Sequence, residues 1–242
     1  MEIINVKNHI EGGKIAAEIL VKAICLKPSS VLGLATGSSP EGTYDALVES
    51  YRRGGVSFEC VKTVNLDEYI GLPQASPQSY HYFMWKNLFS RVNIKPENTH
   101  IPNGLAENPA EECRRYDKLI ESLGGIDIQL LGIGHNGHIG FNEPSDTFTD
   151  GTHLVELAPS TIEANSRFFP SKNDVPTRAI TMGTEQIMRA KRIILLAFGK
   201  GKAEALHRAI RGEINPVCPA SILQKHQNLT VIADALALSK II

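Results

Sequence analysis

Apolar positions along this chain follow two alternating rhythms. Short, often β-branched runs predict strands at Val31–Ala35, Val61–Leu66, Ile126–Gly132, Ala179–Met182, Arg192–Phe198 and Leu229–Ala233. Between them, helical spacing or helix-start signals predict helices at Ile15–Leu26, Pro40–Arg53, Ser79–Phe89, Pro109–Leu123 and Lys202–Arg211. Strands alternating with helices predict an α/β architecture: a doubly wound, mostly parallel, Rossmann-like sheet with helices on both faces. No repeat or linker interrupts the pattern, so residues 1–242 read as a single domain. The first strand is placed at Val31, with room for one helix before it. Residues 144–177 are long, polar and irregular, and read as a lid over a site.

Composition narrows the function classes. A hydrophobic content of 42% permits a substantial core, and a formal net charge of −1 gives no basic footprint for nucleic acid. The amino-terminal stretch has no signal-peptide pattern, and the longest apolar run, Ile193–Phe198, is too short to span a bilayer. Cys25, Cys60, Cys113 and Cys218 are scattered, which argues against a disulfide framework or a thiolate zinc site. The expectation is a cytoplasmic protein without membrane or nucleic-acid partners.

Unusual residues gather just after strands, where parallel sheets place their ligands. In LATGSSPEG, residues 34–42, a turn at Gly37 leads through Ser38 and Ser39 into a helix. Its free amides suit a phosphate or carboxylate, or Ser39 is simply an N-cap; the residues leave both open. FGKGK, residues 198–202, sets two lysines at a helix start, where a bound anion would offset their unfavourable dipole interaction. In TVNLDEYIGLP, Asp67 and Glu68 are neighbours expected to diverge, which favours one catalytic carboxylate over two, and taken alone both suit capping or solvent. In GIGHNGHIGFNEP, residues 132–144, glycines let the backbone pass close to a ligand. His135 reads as a hydrogen-bonded loop residue, whereas His138 with Glu143 suits acid–base work. The two histidines lack a third ligand at a recognised spacing, so no metal is expected.

LATGSSP, NLDEY, GHIGFNEP, ANSRFF (164–169) and FGKGKAEAL (198–206) occur in an order that closely resembles the glucosamine-6-phosphate deaminase family, nearly end to end. The resemblance implies conversion of D-glucosamine 6-phosphate and water to D-fructose 6-phosphate and ammonia in amino-sugar catabolism, with no cofactor. It implies that His138, supported by Glu143, opens the pyranose, and that Asp67 takes the C2 proton. It assigns the phosphate to Thr36, Gly37, Ser38, Ser39, Arg167 and Lys202.

Two departures stand out. Asn136 occupies a position where many relatives carry aspartate, which leaves Glu143 as the main anionic partner of His138. The chain ends soon after Ala233-Asp234, and His153 stands where larger, effector-activated relatives carry an arginine. A monomer or small homo-oligomer without allosteric activation is therefore expected. The rival readings are a 6-phosphogluconolactonase-like hydrolase, which needs no enolisation base, and a non-catalytic sugar-phosphate sensor domain.

Overall fold

The computed structural model describes residues 1–171 and 174–241, so positions 172–173 of the expected lid and residue 242 of the expected domain lie outside the described residues. In chain order the strands are β1 (Glu2–Val6), β2 (Val31–Leu34), β3 (Lys62–Asn65), β4 (Asp67–Tyr69), β5 (Thr99–His100), β6 (Ile128–Gly132), β7 (His153–Glu156), β8 (Arg178–Thr181), β9 (Arg192–Ala197) and β10 (Leu229–Asp234). The α-helices are α1 (His9–Leu26), α2 (Ser38–Arg52), α3 (Tyr80–Asn87), α4 (Pro109–Ser122), α5 (Pro159–Asn165), α6 (Thr184–Met188) and α7 (Ala203–Arg211).

Seven strands form an all-parallel sheet in the order β1-β10-β9-β6-β2-β3-β5. Alternation along each strand sends side chains to two separate cores. Leu32, Leu34, Leu130, Ile194 and Ile232 meet α1, α2 and α3 on one face. Val31, Val64, Leu131, Leu195 and Val231 meet α4, α6 and α7 on the other. The sheet is thus doubly wound.

A smaller antiparallel sheet, β4-β8-β7, sits over the carboxyl end of the large one. Three expectations are corrected. The run at 179–182 is strand β8, but it belongs to this small sheet. The segment read as irregular carries β7 and α5. The first strand is β1, which arrives before α1 and pairs with β10 at the sheet edge. β1 escapes a hydrophobicity pattern because only Val6 of its five residues is fully buried. Helix α1 also begins earlier than its apolar spacing suggests, because Asn8 accepts the amides of Ile10 and Glu11, each at 3.0 Å. Among the described residues no helix is long and apolar enough to cross a membrane.

At the amino-terminal end of the strands, Asp127 accepts the Val31 amide at 2.8 Å and the ammonium groups of Lys27 at 2.7 Å and Lys191 at 2.8 Å. This carboxylate ties β2 to the segments entering β6 and β9, at the end of the strands opposite the small sheet. Asp127→Ala is expected to cost about 1–3 kcal/mol in denaturant unfolding and to leave turnover unchanged.

Candidate active site

The chain runs from β2 outward to β3 and β5, and from β6 outward to β9 and β10 in the opposite direction. Such a reversal leaves a crevice at the carboxyl ends of the two central strands. There a cavity of about 380 Å³ opens, floored by the loops after β2 and β6 and covered by α5 and the 3-10 turn Ser166–Phe168 that follows it.

One pole of the cavity is cationic. Gly37, with φ +89°, is the N-cap of α2, and no side chain caps the helix. Ser39, the expected alternative cap, lies inside the first turn. Pro40 also lies in that turn, where a missing amide is not needed. The amides of the turn are therefore left for a ligand, beside Thr36, Ser38, Ser39, Arg167 and Lys202, which all line the cavity. Lys202 is the last residue of a 3-10 turn, Lys200–Lys202, which leads into α7 one residue later than expected. Burial and then the nearby charge of Arg167 pull the Lys202 ammonium down to about 8.

The cavity also holds a carboxyl. Asp67 is 5% exposed and lines the cavity from β4. Burial, then the charge of Glu68, pushes its carboxyl well above the usual carboxylate range. Glu68 points elsewhere: it accepts the amides of Tyr69, Tyr80 and His81, each at 2.9 Å, and so ties β4 to the start of α3. Burial raises Glu68 to about 6 against the pull of those bonds.

The glycine loop after β6 presents His138. A Cβ on Gly134 would lie 2.3 Å from His138 Cε1, so the imidazole occupies space that only glycine leaves. Gly140, with φ +58°, leaves similar room beside Asp67 Oδ2, 3.3 Å from where its Cβ would stand. His138 Nδ1 lies 3.6 Å from Glu143 Oε2, within ion-pair range but beyond a hydrogen bond. Asn136 Nδ2 donates to Glu143 Oε2 at 2.7 Å, and Asn136 Oδ1 accepts the His138 amide at 3.1 Å. The amide at 136 therefore braces the carboxylate and the loop rather than the imidazole ring. Thr161, on α5, donates to Glu143 Oε1. Burial would raise the Glu143 carboxyl, but the nearby His138 and the bonds from Thr161 and Asn136 outweigh it and hold the group low. Glu143 stands behind the cavity wall, whereas Asp67, Asn136 and His138 line it.

The sequence matches the family of glucosamine-6-phosphate isomerases/6-phosphogluconolactonase over residues 11–232. The chain belongs to this family. Among curated relatives, a glucosamine-6-phosphate deaminase of Lachnoclostridium phytofermentans is 54% identical over 96% of this chain and 98% of its own length. One from Thermoanaerobacter sp. is 55% identical over 100% of this chain and 95% of its own. A solved structure described as a monomeric glucosamine-6-phosphate deaminase superposes with a TM-score of 0.97 at 48% identity, covering 99% of this chain and all of the other. The 6-phosphogluconolactonase of Trypanosoma cruzi, at a TM-score of 0.80 and 20% identity over 99% of this chain and 96% of its own, shares the fold.

Within this family member, the pattern of residues missed three contributors to the cavity. His135, taken for a plain loop residue, lines the cationic pole, where Lys202, burial, His138 and Arg167 lower its pKa. Thr161 and Asn165 reach into the site from α5: Asn165 Nδ2 donates to the Tyr69 hydroxyl at 2.9 Å. Tyr69 in turn packs against Tyr80, Phe141 and Phe169, forming an aromatic wall beside Asp67. Among the described residues no group of three or more histidines, cysteines or carboxylates is placed to hold a metal ion.

Proposed function

We propose that this chain is a glucosamine-6-phosphate deaminase: it converts D-glucosamine 6-phosphate and water to D-fructose 6-phosphate and ammonia. The observation that carries the reading is one cavity that holds both an anion-receptive turn, Gly37–Ser39 with Arg167 and Lys202, and a buried carboxyl, Asp67, with no neutralising partner among the described residues. The relatives of 54–55% identity, all glucosamine-6-phosphate deaminases by name, support it.

The phosphate is held by the open amides of α2, the hydroxyls of Thr36, Ser38 and Ser39, and the charges of Arg167 and Lys202. His138 takes the anomeric hydroxyl proton and delivers one to the ring oxygen, with Glu143 stabilising the imidazolium. Asp67 then removes the C2 proton of the open chain. Burial serves this step, because a carboxyl with a raised pKa is a stronger base. The proton goes to C1 while a proton passes from the amino nitrogen to O1, leaving an imine at C2 that water hydrolyses to the ketone, and ammonia departs. Residues 144–177 act as the lid that excludes solvent. The protein works in the cytoplasm as a monomer or small oligomer.

Mixing the purified protein with glucosamine 6-phosphate and measuring ammonia and fructose 6-phosphate tests the reading. Release of neither product, with hydrolysis of 6-phosphogluconolactone instead, would replace it. The cationic pole has its own test. A bound dianion favours the charged form of Lys202, so the affinity for inorganic phosphate should weaken as pH rises through about 8. Lys202→Met is expected to weaken phosphate at neutral pH by about tenfold or more and to remove that pH dependence, both measured by calorimetric titration.

A further inference from the structure

Residues 159–168 reach both the anion-receptive turn and the surroundings of Asp67. The helix α5 and the 3-10 turn after it present Arg167 to the cationic pole, Asn165 to the Tyr69 hydroxyl beside Asp67, and Thr161 to Glu143 behind His138. Thr161 is 4% exposed, although it sits in the first turn of a short surface helix. Among the described residues its hydroxyl is one of two side-chain donors within hydrogen-bond distance of the Glu143 carboxylate; the other is Asn136, from the glycine loop itself. The two donors take different oxygens, Oε1 for Thr161 and Oε2 for Asn136, and the His138 ring faces the Oε2 side. The rotation of the carboxylate about its own axis is therefore set from two elements, of which only α5 runs directly into the turn that carries the phosphate-facing arginine.

We propose that Thr161 is a positioning residue for the ring-opening pair: by gripping Glu143 from α5, it makes the alignment of His138 depend on where that helix sits, and so couples phosphate capture by Arg167 to proton transfer at His138. This rests on the deaminase reading. A methyl group at this place would pack as well as the hydroxyl but would leave Oε1 without its donor. The group titrating here faces His138 from the glycine loop and, across a small cavity behind it, His153 from β7. From α5 it meets the Thr161 hydroxyl, and Glu163 on that helix is exposed. Because the hydroxyl bond favours the charged carboxylate, its loss lets Glu143 protonate at higher pH as the medium is acidified.

The test compares wild type with Thr161→Val and Thr161→Ser. Thr161→Val should lower kcat by about tenfold or more, the size of a bond to a charged group, and shift the acid limb of kcat to higher pH. Its thermal midpoint and its affinity for inorganic phosphate should stay near wild type. Thr161→Ser, which keeps the hydroxyl, should restore both rate and pH profile. In parallel, the Glu143 carboxyl is titrated by carbon-13 NMR of protein labelled at glutamate side chains, which reads the same bond without turnover; it should titrate higher in Thr161→Val alone. An unchanged kcat and limb, or an unchanged Glu143 titration, overturns the proposal. A wild-type protein that releases no ammonia removes the deaminase reading, while the titration still decides whether Thr161 controls Glu143.

Discussion

Asp67→Asn is expected to abolish ammonia release from glucosamine 6-phosphate, by at least about 10²–10⁴ in kcat, and at the same time to stabilise the protein. Both effects have one cause. The carboxyl is almost fully enclosed, no side chain among the described residues hydrogen-bonds to it, and Glu68 adds a second negative charge nearby. Ionising it in the folded chain therefore costs more than in the unfolded chain, where it titrates near about 3.9. A carboxyl whose pKa is raised on folding destabilises the native state increasingly as pH rises from the unfolded value through the folded one. Below the unfolded value the cost is absent. Asparagine keeps the shape and removes the charge. The variant should show a higher thermal midpoint than wild type at neutral pH, and the gap should close as the buffer is acidified towards pH 4. Inorganic phosphate should bind both proteins alike. A variant that still turns over would reassign the C2 base, and a variant with a lower midpoint at pH 7 would mean that Asp67 is neutralised in the folded protein by a partner.

Asp67 also shows how far the sequence alone can be read. Adjacent carboxylates after a strand are ambiguous by residue type, but strand alternation forces them to opposite faces. β4 resolves the pair by sending Asp67 to the cavity and Glu68 to the amides of Tyr80 and His81. The large sheet was legible wherever strands are buried on both sides, as in Arg192–Ala197, because such strands must be continuous apolar runs. β1 and β7 were not, since one is an edge strand and the other is partly exposed along its length. The loop after β6 was legible because its glycines have no use in a regular element. Thr161 and Asn165 left no such signal: a threonine and an asparagine on a short helix look like any surface pair until Glu143 and the Tyr69 hydroxyl are seen opposite them.

The glycine loop yields the second large effect. His138→Gln is expected to lower kcat by about 10²–10⁴ with little change in phosphate affinity, because its ring serves proton transfer and stands apart from the α2 turn. Gly134→Ala should reproduce much of that loss while keeping the histidine. Its new Cβ would fall 2.3 Å from Cε1 and 2.4 Å from both ring nitrogens, well inside van der Waals contact, so the imidazole must leave its place over the loop. The backbone bond from the Gly134 amide to the His138 carbonyl, 2.9 Å long, keeps the two residues opposed and closes off relief by a small shift of the chain. A displaced ring loses its approach to Glu143, and the imidazolium formed during ring opening loses its counter-charge. Steady-state kinetics of the two variants should therefore show kcat falling together with KM nearly constant. A Gly134→Ala protein with wild-type kcat would mean that the imidazole works from a position away from Gly134, and the ring-opening role would then have to move from His138 to another group in the cavity.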